Sequence, residues 1–141
     1  MKIPTTMKAV VVTSGVPLKE PCSLQDAERA VPVPGPKDLL VKIEAISVNP
    51  IDTKVRSAQT SGGSDVLGWD AAGTVVAIGG AVARFRPGDE IYYAGSIDRA
   101  GGNAEYQVVD ERVAASKPHS LTVMMESACA SVWLWVLTDA Q

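Results

Sequence analysis

The sequence predicts a mostly β, barrel-like domain followed by one C-terminal helix. Three observations carry that expectation. The apolar segments are short and β-branched, glycine and proline stand between them, and helical periodicity appears at length only after Lys117-Pro118. The pattern of alternating strands and helices that marks a doubly wound sheet is missing. A chain of 141 residues, 46% of them hydrophobic, can bury a real core and is not a disordered segment.

Taken in order, Met7 to Thr13 (MKAVVVT) is the first strand, and Pro17 and Pro21 interrupt the pattern behind it. Leu24 to Val31 reads as a second, edge-like strand. Val31 to Lys37 (VPVPGPK) holds three prolines and a glycine, which forbid helix and force an extended or turning connection. Asp38 to Val48 alternates, with Val41, Ile43, Ala45 and Val48 on the apolar side and Lys42, Glu44 and Ser47 opposite. Asn49-Pro50 ends that strand, and Pro50 suits the first turn of a short helix over Ile51 to Arg56. Ser57 to Asp65, with Gly62-Gly63, reads as a mobile loop. Ala71 to Ile78 is a buried strand of small and β-branched residues, in which Gly73 marks a close backbone approach or a bulge.

Arg86-Pro87-Gly88-Asp89 is a turn, Glu90 to Ala94 a short strand, and Gly95 to Asn103 a glycine-bearing loop. Ala104 to Val109 and Val113 to Ser116 are strands separated by the polar turn Asp110-Glu111-Arg112. Ser120 to Gln141 is the long helical candidate, since Leu121, Met124, Met125, Ala128 and Val132 recur at three and four residues. The chain therefore divides into a β domain over residues 1–120 and a helical segment over residues 121–141.

Composition and motifs exclude several functions. A net charge of -3 argues against nucleic-acid binding. Cys22 and Cys129 form no CxxC pair, so a reducing cytoplasm is expected. Met1 to Thr6 is too polar and short for a signal peptide, and Val132 to Leu137 falls far short of the ~20 apolar residues of a membrane helix. The single histidine, His119, rules out a multi-His metal site and reads as a surface turn residue rather than a catalytic base. No Gly-x-Gly-x-x-Gly, P-loop or Gly-x-Ser-x-Gly is present, so the sequence shows no means of cradling a dinucleotide pyrophosphate.

Three motifs carry a functional signal: SVNPIDTKVR (Ser47 to Arg56), LGWDAAGTVVAIG (Leu67 to Gly79) and FRPGDEIYYAG…GGNAEYQVV (Phe85 to Val109). In this order, behind VPVPGPKDLLVKIEAIS, they resemble the GroES-like catalytic domain of the medium-chain dehydrogenase/reductase superfamily. The likeness is to its zinc-independent quinone oxidoreductase and zinc-type alcohol dehydrogenase-like branch and covers about Met7 to Glu126. It implies a GroES-like, partly open barrel. It further implies the N-terminal, substrate-side portion of an enzyme that transfers hydride from NADPH or NADH to a quinone, enone or other carbonyl compound, with the Rossmann domain missing.

The resemblance also addresses the metal. In zinc-binding members a cysteine sits in the turn after the strand that here ends Ala45-Ile46-Ser47-Val48, and Gly-His-Glu stands where this chain has Gly68-Trp69-Asp70. Neither Cys nor His occupies those positions, and no zinc is expected. Asn49 would lie in the cleft and donate a hydrogen bond to an oxygen gaining charge; read from its residues alone it is a turn residue capping its own backbone. Asp52 and Thr53 are cleft residues or caps of the short helix. Lys54 and Arg56 meet a cofactor phosphate or are solvated. Trp69 is a cleft wall or core, and Asp70 could pair with Arg56 or Lys54.

Beyond Glu126 the likeness fails: SACASVWLWVLTDAQ lacks the family's Leu-Pro pair, which suggests a truncated or frame-altered product. No tight cofactor binding and little activity are expected of the 141 residues alone. The partner is then a small molecule, with no nucleic acid or membrane, and a homodimer is a candidate assembly. The rival expectation is a non-enzymatic GroES-like β-barrel module that acts by self-association or partner binding.

Overall fold

A computed structural model describes residues 2–13, 15–17, 19–58, 66–118 and 120. The first strand, β1 (Thr6–Val12), pairs antiparallel with β2 (Leu24–Ala30), and a 3-10 turn at Pro21–Ser23 leads into the latter. The Pro-rich stretch behind β2 is irregular, and β3 (Asp38–Ser47) is the longest strand. Helix α1 (Pro50–Ala58) follows, then β4 (Asp70–Ile78), β5 (Glu90–Ala94), β6 (Tyr106–Asp110), a 3-10 turn at Glu111–Val113, and β7 (Ala114–Ser116). These last five strands form one antiparallel sheet in the order β6-β3-β4-β5-β7.

The expected mostly β fold is observed, as two sheets that stay open. Isolated bridges Ala9–Ala104 and Val11–Val66 tie β1 to the segments just before β6 and β4 without closing a barrel. Ala104 makes such a bridge instead of starting β6, and the polar turn expected at Asp110 to Arg112 is the 3-10 turn. Asp110 accepts the Arg112 N–H at 2.9 Å and so caps that turn. The short helix runs from Pro50, two residues further than expected at its C-terminal end. The C-terminal helix over Ser120 to Gln141, the loop 59–65, His119 and Cys129 lie outside the described residues, Ser120 excepted.

Strand β3 sits between β6 and β4, and its first four residues are buried because a hydrophobic cluster packs on each face. Leu39 and Val41 enter one cluster with Val75, Phe85, Ile91, Tyr93 and Val109. Leu40 enters a second with Met7 and Tyr106. From Lys42 onward exposed and half-buried residues alternate. Val48, expected on the apolar side, is 76% exposed because the strand has already ended.

Gly73 behaves as its place in a strand suggested. A Cβ there would meet the Lys42 carbonyl, and the β3–β4 register shifts between Ile43 and Ala45, beside Gly73. That shift sets which side chains face each other at the far end of the pair, where Ser47 stands opposite Asp70.

Candidate functional site

The polar residues singled out from the sequence meet where β3 ends, α1 begins and β4 starts. Asn49 is the residue before Pro50, the first residue of α1, and so occupies the N-cap position. It does not cap with its own side chain. Its backbone N–H donates to Asp52 Oδ2 at 2.6 Å, the reciprocal half of a capping box. Its side-chain nitrogen, Nδ2, donates to Asp70 Oδ2 at 2.5 Å and, at a long 3.4 Å, to the Ser47 carbonyl. The donor expected to be free for a substrate is therefore partly engaged by the protein.

Asp52 and Asp70 are 8% and 7% exposed. Burial, and after it the like charge of Asp52, pushes the Asp70 carboxyl up to about 6. Asp52 Oδ1 is buried with no partner, and so is Arg56 Nη2, one helical turn later. The ion pair expected between Asp70 and Arg56 or Lys54 does not form among the described residues; Asn49 takes that place on Asp70.

Two further expected cleft residues take no part in this hydrogen-bonded cluster. Thr53 is exposed and turns its hydroxyl back to the Pro50 carbonyl at 2.8 Å, so it does not cap the helix N-terminus. Trp69 is a core side chain, 3% exposed, packed with Val12, Leu67 and Val55. Its indole N–H donates to the Arg99 carbonyl at 3.1 Å. Gly68 supplies the backbone turn before it, with φ 86°, where a side chain would be strained. Trp69 thus anchors the segment that delivers Asp70.

The network behind β4 was not anticipated from the sequence. Tyr93 donates to Gln107 Oε1 at 2.8 Å, and Gln107 Nε2 donates to the Ala100 carbonyl at 3.1 Å, fixing the loop Gly95 to Asn103 against β6. Burial holds the Tyr93 phenol well above its usual range, so it acts as a neutral donor. Arg99 forks onto Asp38 at 2.9 and 3.3 Å from the same loop. A groove of about 1150 Å³ lies between β1–β2 and the outer half of β3. Val48 borders it, but Asn49, Asp52 and Asp70 do not, so this groove and the polar cluster are separate features.

Residues 35–119 match the alcohol dehydrogenase GroES-like domain family. A zinc-type alcohol dehydrogenase-like protein of Staphylococcus aureus is 50% identical over 95 residues, which is 67% of this chain and 28% of that protein. A candidate zinc-dependent alcohol dehydrogenase from Rhizobium etli is 46% identical with a TM-score of 0.82, covering 88% of this chain and 36% of its own. Two mycobacterial structures, one a quinone oxidoreductase and one a complex with NADPH, are each 31% identical, with TM-scores of 0.71 and 0.69. Each match covers 86% of this chain and 36% of the other. The chain thus spans about a third of the length of the proteins it matches.

Proposed function

Because the chain belongs to the alcohol dehydrogenase GroES-like domain family, we propose that it is the substrate-side portion of an NAD(P)H-dependent oxidoreductase that reduces quinones, enones or other carbonyl compounds. In this reading residues 1–120 are the substrate-side β domain, and residues 121–141 lead toward a dinucleotide-binding portion outside this chain. The observation that carries it is the Asn49–Asp70 hydrogen bond, which joins the SVNPIDTKVR and LGWDAAGTVVAIG motifs at one point.

A bound nicotinamide dinucleotide would supply the hydride. The chain's own residues hold the acceptor. One Asn49 N–H is fixed by Asp70. The other reaches Ser47 only at 3.4 Å, beyond the usual hydrogen-bond range, and is the one free to turn to an oxygen that gains charge. Donors so placed contribute about 3 kcal/mol in favourable cases. Arg56 Nη2, buried and unbonded, is a second group that an anionic oxygen could engage. Asp52 holds the Asn49 backbone, Trp69 acts from the core, and Thr53 lies at the rim.

We read the site as zinc-free, although relatives are named zinc-type. Its side chains Asn49, Asp52 and Asp70 include no cysteine or histidine. No group of three His, Cys, Asp or Glu that could hold a metal ion occurs among the described residues. A catalytic zinc takes three protein ligands and an open position. The same reading gives the protein a cytoplasmic location, with a homodimer as a candidate assembly. No helix among the described residues is long and apolar enough to cross a membrane.

The test joins residues 1–120 to the remaining portion of the Staphylococcus aureus relative and follows NADPH and NADH oxidation with quinones, enones and aldehydes. Acceptor-dependent oxidation is expected, with Asn49→Ala lowering kcat by about 10²-fold. A folded chimera that oxidises neither nucleotide with any acceptor overturns the proposal. Stoichiometric zinc surviving dialysis of that chimera overturns the zinc-free part.

A further inference from the structure

A carboxamide presents two different ends, a donor and an acceptor, and something in the protein must decide which way round Asn49 is held when it meets a ligand. An ionised carboxylate is acceptor-only. Facing Asp70 Oδ2, Asn49 has to present Nδ2, and no described residue donates to its Oδ1. A half-turn of the amide would set Oδ1 against Asp70 oxygen, two acceptors face to face, unless Asp70 carried a proton. The backbone of Asn49 has no such freedom, because Asp52 Oδ2 takes its N–H at 2.6 Å and α1 starts at the next residue.

We propose that Asp70 is a positioning residue for Asn49: its carboxylate fixes the orientation in which the Asn49 carboxamide meets a ligand. This inference rests on the reading of Asn49 as a cleft residue. With Asp70 ionised, Asn49 offers one loosely held N–H together with its Oδ1. That combination suits a ligand group that both donates and accepts, such as a hydroxyl or a primary carboxamide. With Asp70 protonated the amide is released from its fixed orientation.

The surroundings leave Asp70 as the group that makes this switch. From α1, Asp52 is the charge that acts on it, while Arg56 and Lys54 make no bond to it. From β3 and β5 the residues in register with Asp70 are Ser47 and Ala94, both uncharged. Asp70 opens β4 and is held by strand pairing on both sides, so its carboxylate is presented from a rigid element.

The test is nuclear magnetic resonance of the isotope-labelled chain, with the Asn49 side-chain amide assigned by its loss in Asn49→Ser. Its shifts are expected to move with pH with a midpoint near 6, as Asp70 protonates. In Asp70→Asn the shifts become flat with pH while the amide stays protected, since an asparagine can still accept from Nδ2. In Asp70→Ala the amide exchanges about tenfold faster, the loss of one hydrogen bond. In Asp52→Asn the titration persists and moves to lower pH, because a like charge has gone. A pH-independent Asn49 amide in the unaltered chain overturns the proposal, and so does a titration that survives Asp70→Asn or vanishes in Asp52→Asn. None of these readouts needs a cofactor. A chimera indifferent to Asn49→Ala would count against the proposed function, and a missing titration against the positioning role.

Discussion

Replacing Asp70 by Asn should stabilise the protein at pH 8 and leave it nearly unchanged at pH 4. The folded carboxyl is raised from 3.8 to about 6, chiefly by burial, so the folded state holds its proton more tightly than the unfolded chain does. Between those values the folded state binds more protons, and stability falls as pH rises. Below about 4 both states are protonated and the penalty is absent; above about 6 it is complete. The shift corresponds to about 3 kcal/mol. Asn cannot ionise, so the variant escapes that penalty. It also gives up the charge-assisted part of the bond from Asn49, about 1 kcal/mol.

The expected net gain is therefore about 2 kcal/mol at pH 8 and near zero, or slightly negative, at pH 4. Urea unfolding of both proteins at the two pH values measures it, and titrating groups common to both cancel in the difference. A stability difference that is the same at pH 4 and pH 8 would refute the reasoning, since the cost would then not be that of a buried charge.

Other substitutions probe the frame that holds the site. Glu111, 6% exposed, accepts the Ala83 and Arg84 N–H groups at 3.0 and 3.1 Å; Glu111→Ala should cost about 2–4 kcal/mol, read by the urea midpoint. Leu39 is fully buried in the main cluster, and Leu39→Ala should cost about 2–5 kcal/mol, read as a lower melting temperature. Gly73→Ala places a Cβ against the Lys42 carbonyl and should destabilise the β3–β4 pair, seen as faster amide exchange in both strands.

Much of the fold was legible because its signals are local. Period-two alternation and β-branched runs located the strands, although Ala104 and Val48 fell outside the strands expected to contain them. Asn49-Pro50 located the start of α1, since proline fixes its own φ and lacks the N–H that a first turn leaves unsatisfied. Gly73 announced the close approach of two strands for an equally local reason. The GroES-like resemblance likewise needed only ordered motifs, and the family match agrees with it.

The site itself was written by tertiary structure. Asn49 and Asp70 are 21 residues apart, and no spacing rule links them. They meet because the register shift in β3 sets Ser47 opposite Asp70 and the helix start brings Asn49 back over β4. Thr53 and Asp52 are neighbours of similar capping propensity, yet only Asp52 is buried, and only packing distinguishes them. Trp69 read from the sequence slightly more as a cleft wall than as core, and the structure packs it with Val12, Leu67 and Val55. The sequence by itself determined which segments are strands, where the turns fall and that the polar motifs exist. Only the tertiary structure decided which carboxylate is buried beside which amide, because desolvation and contact depend on strand register and packing that no single segment encodes.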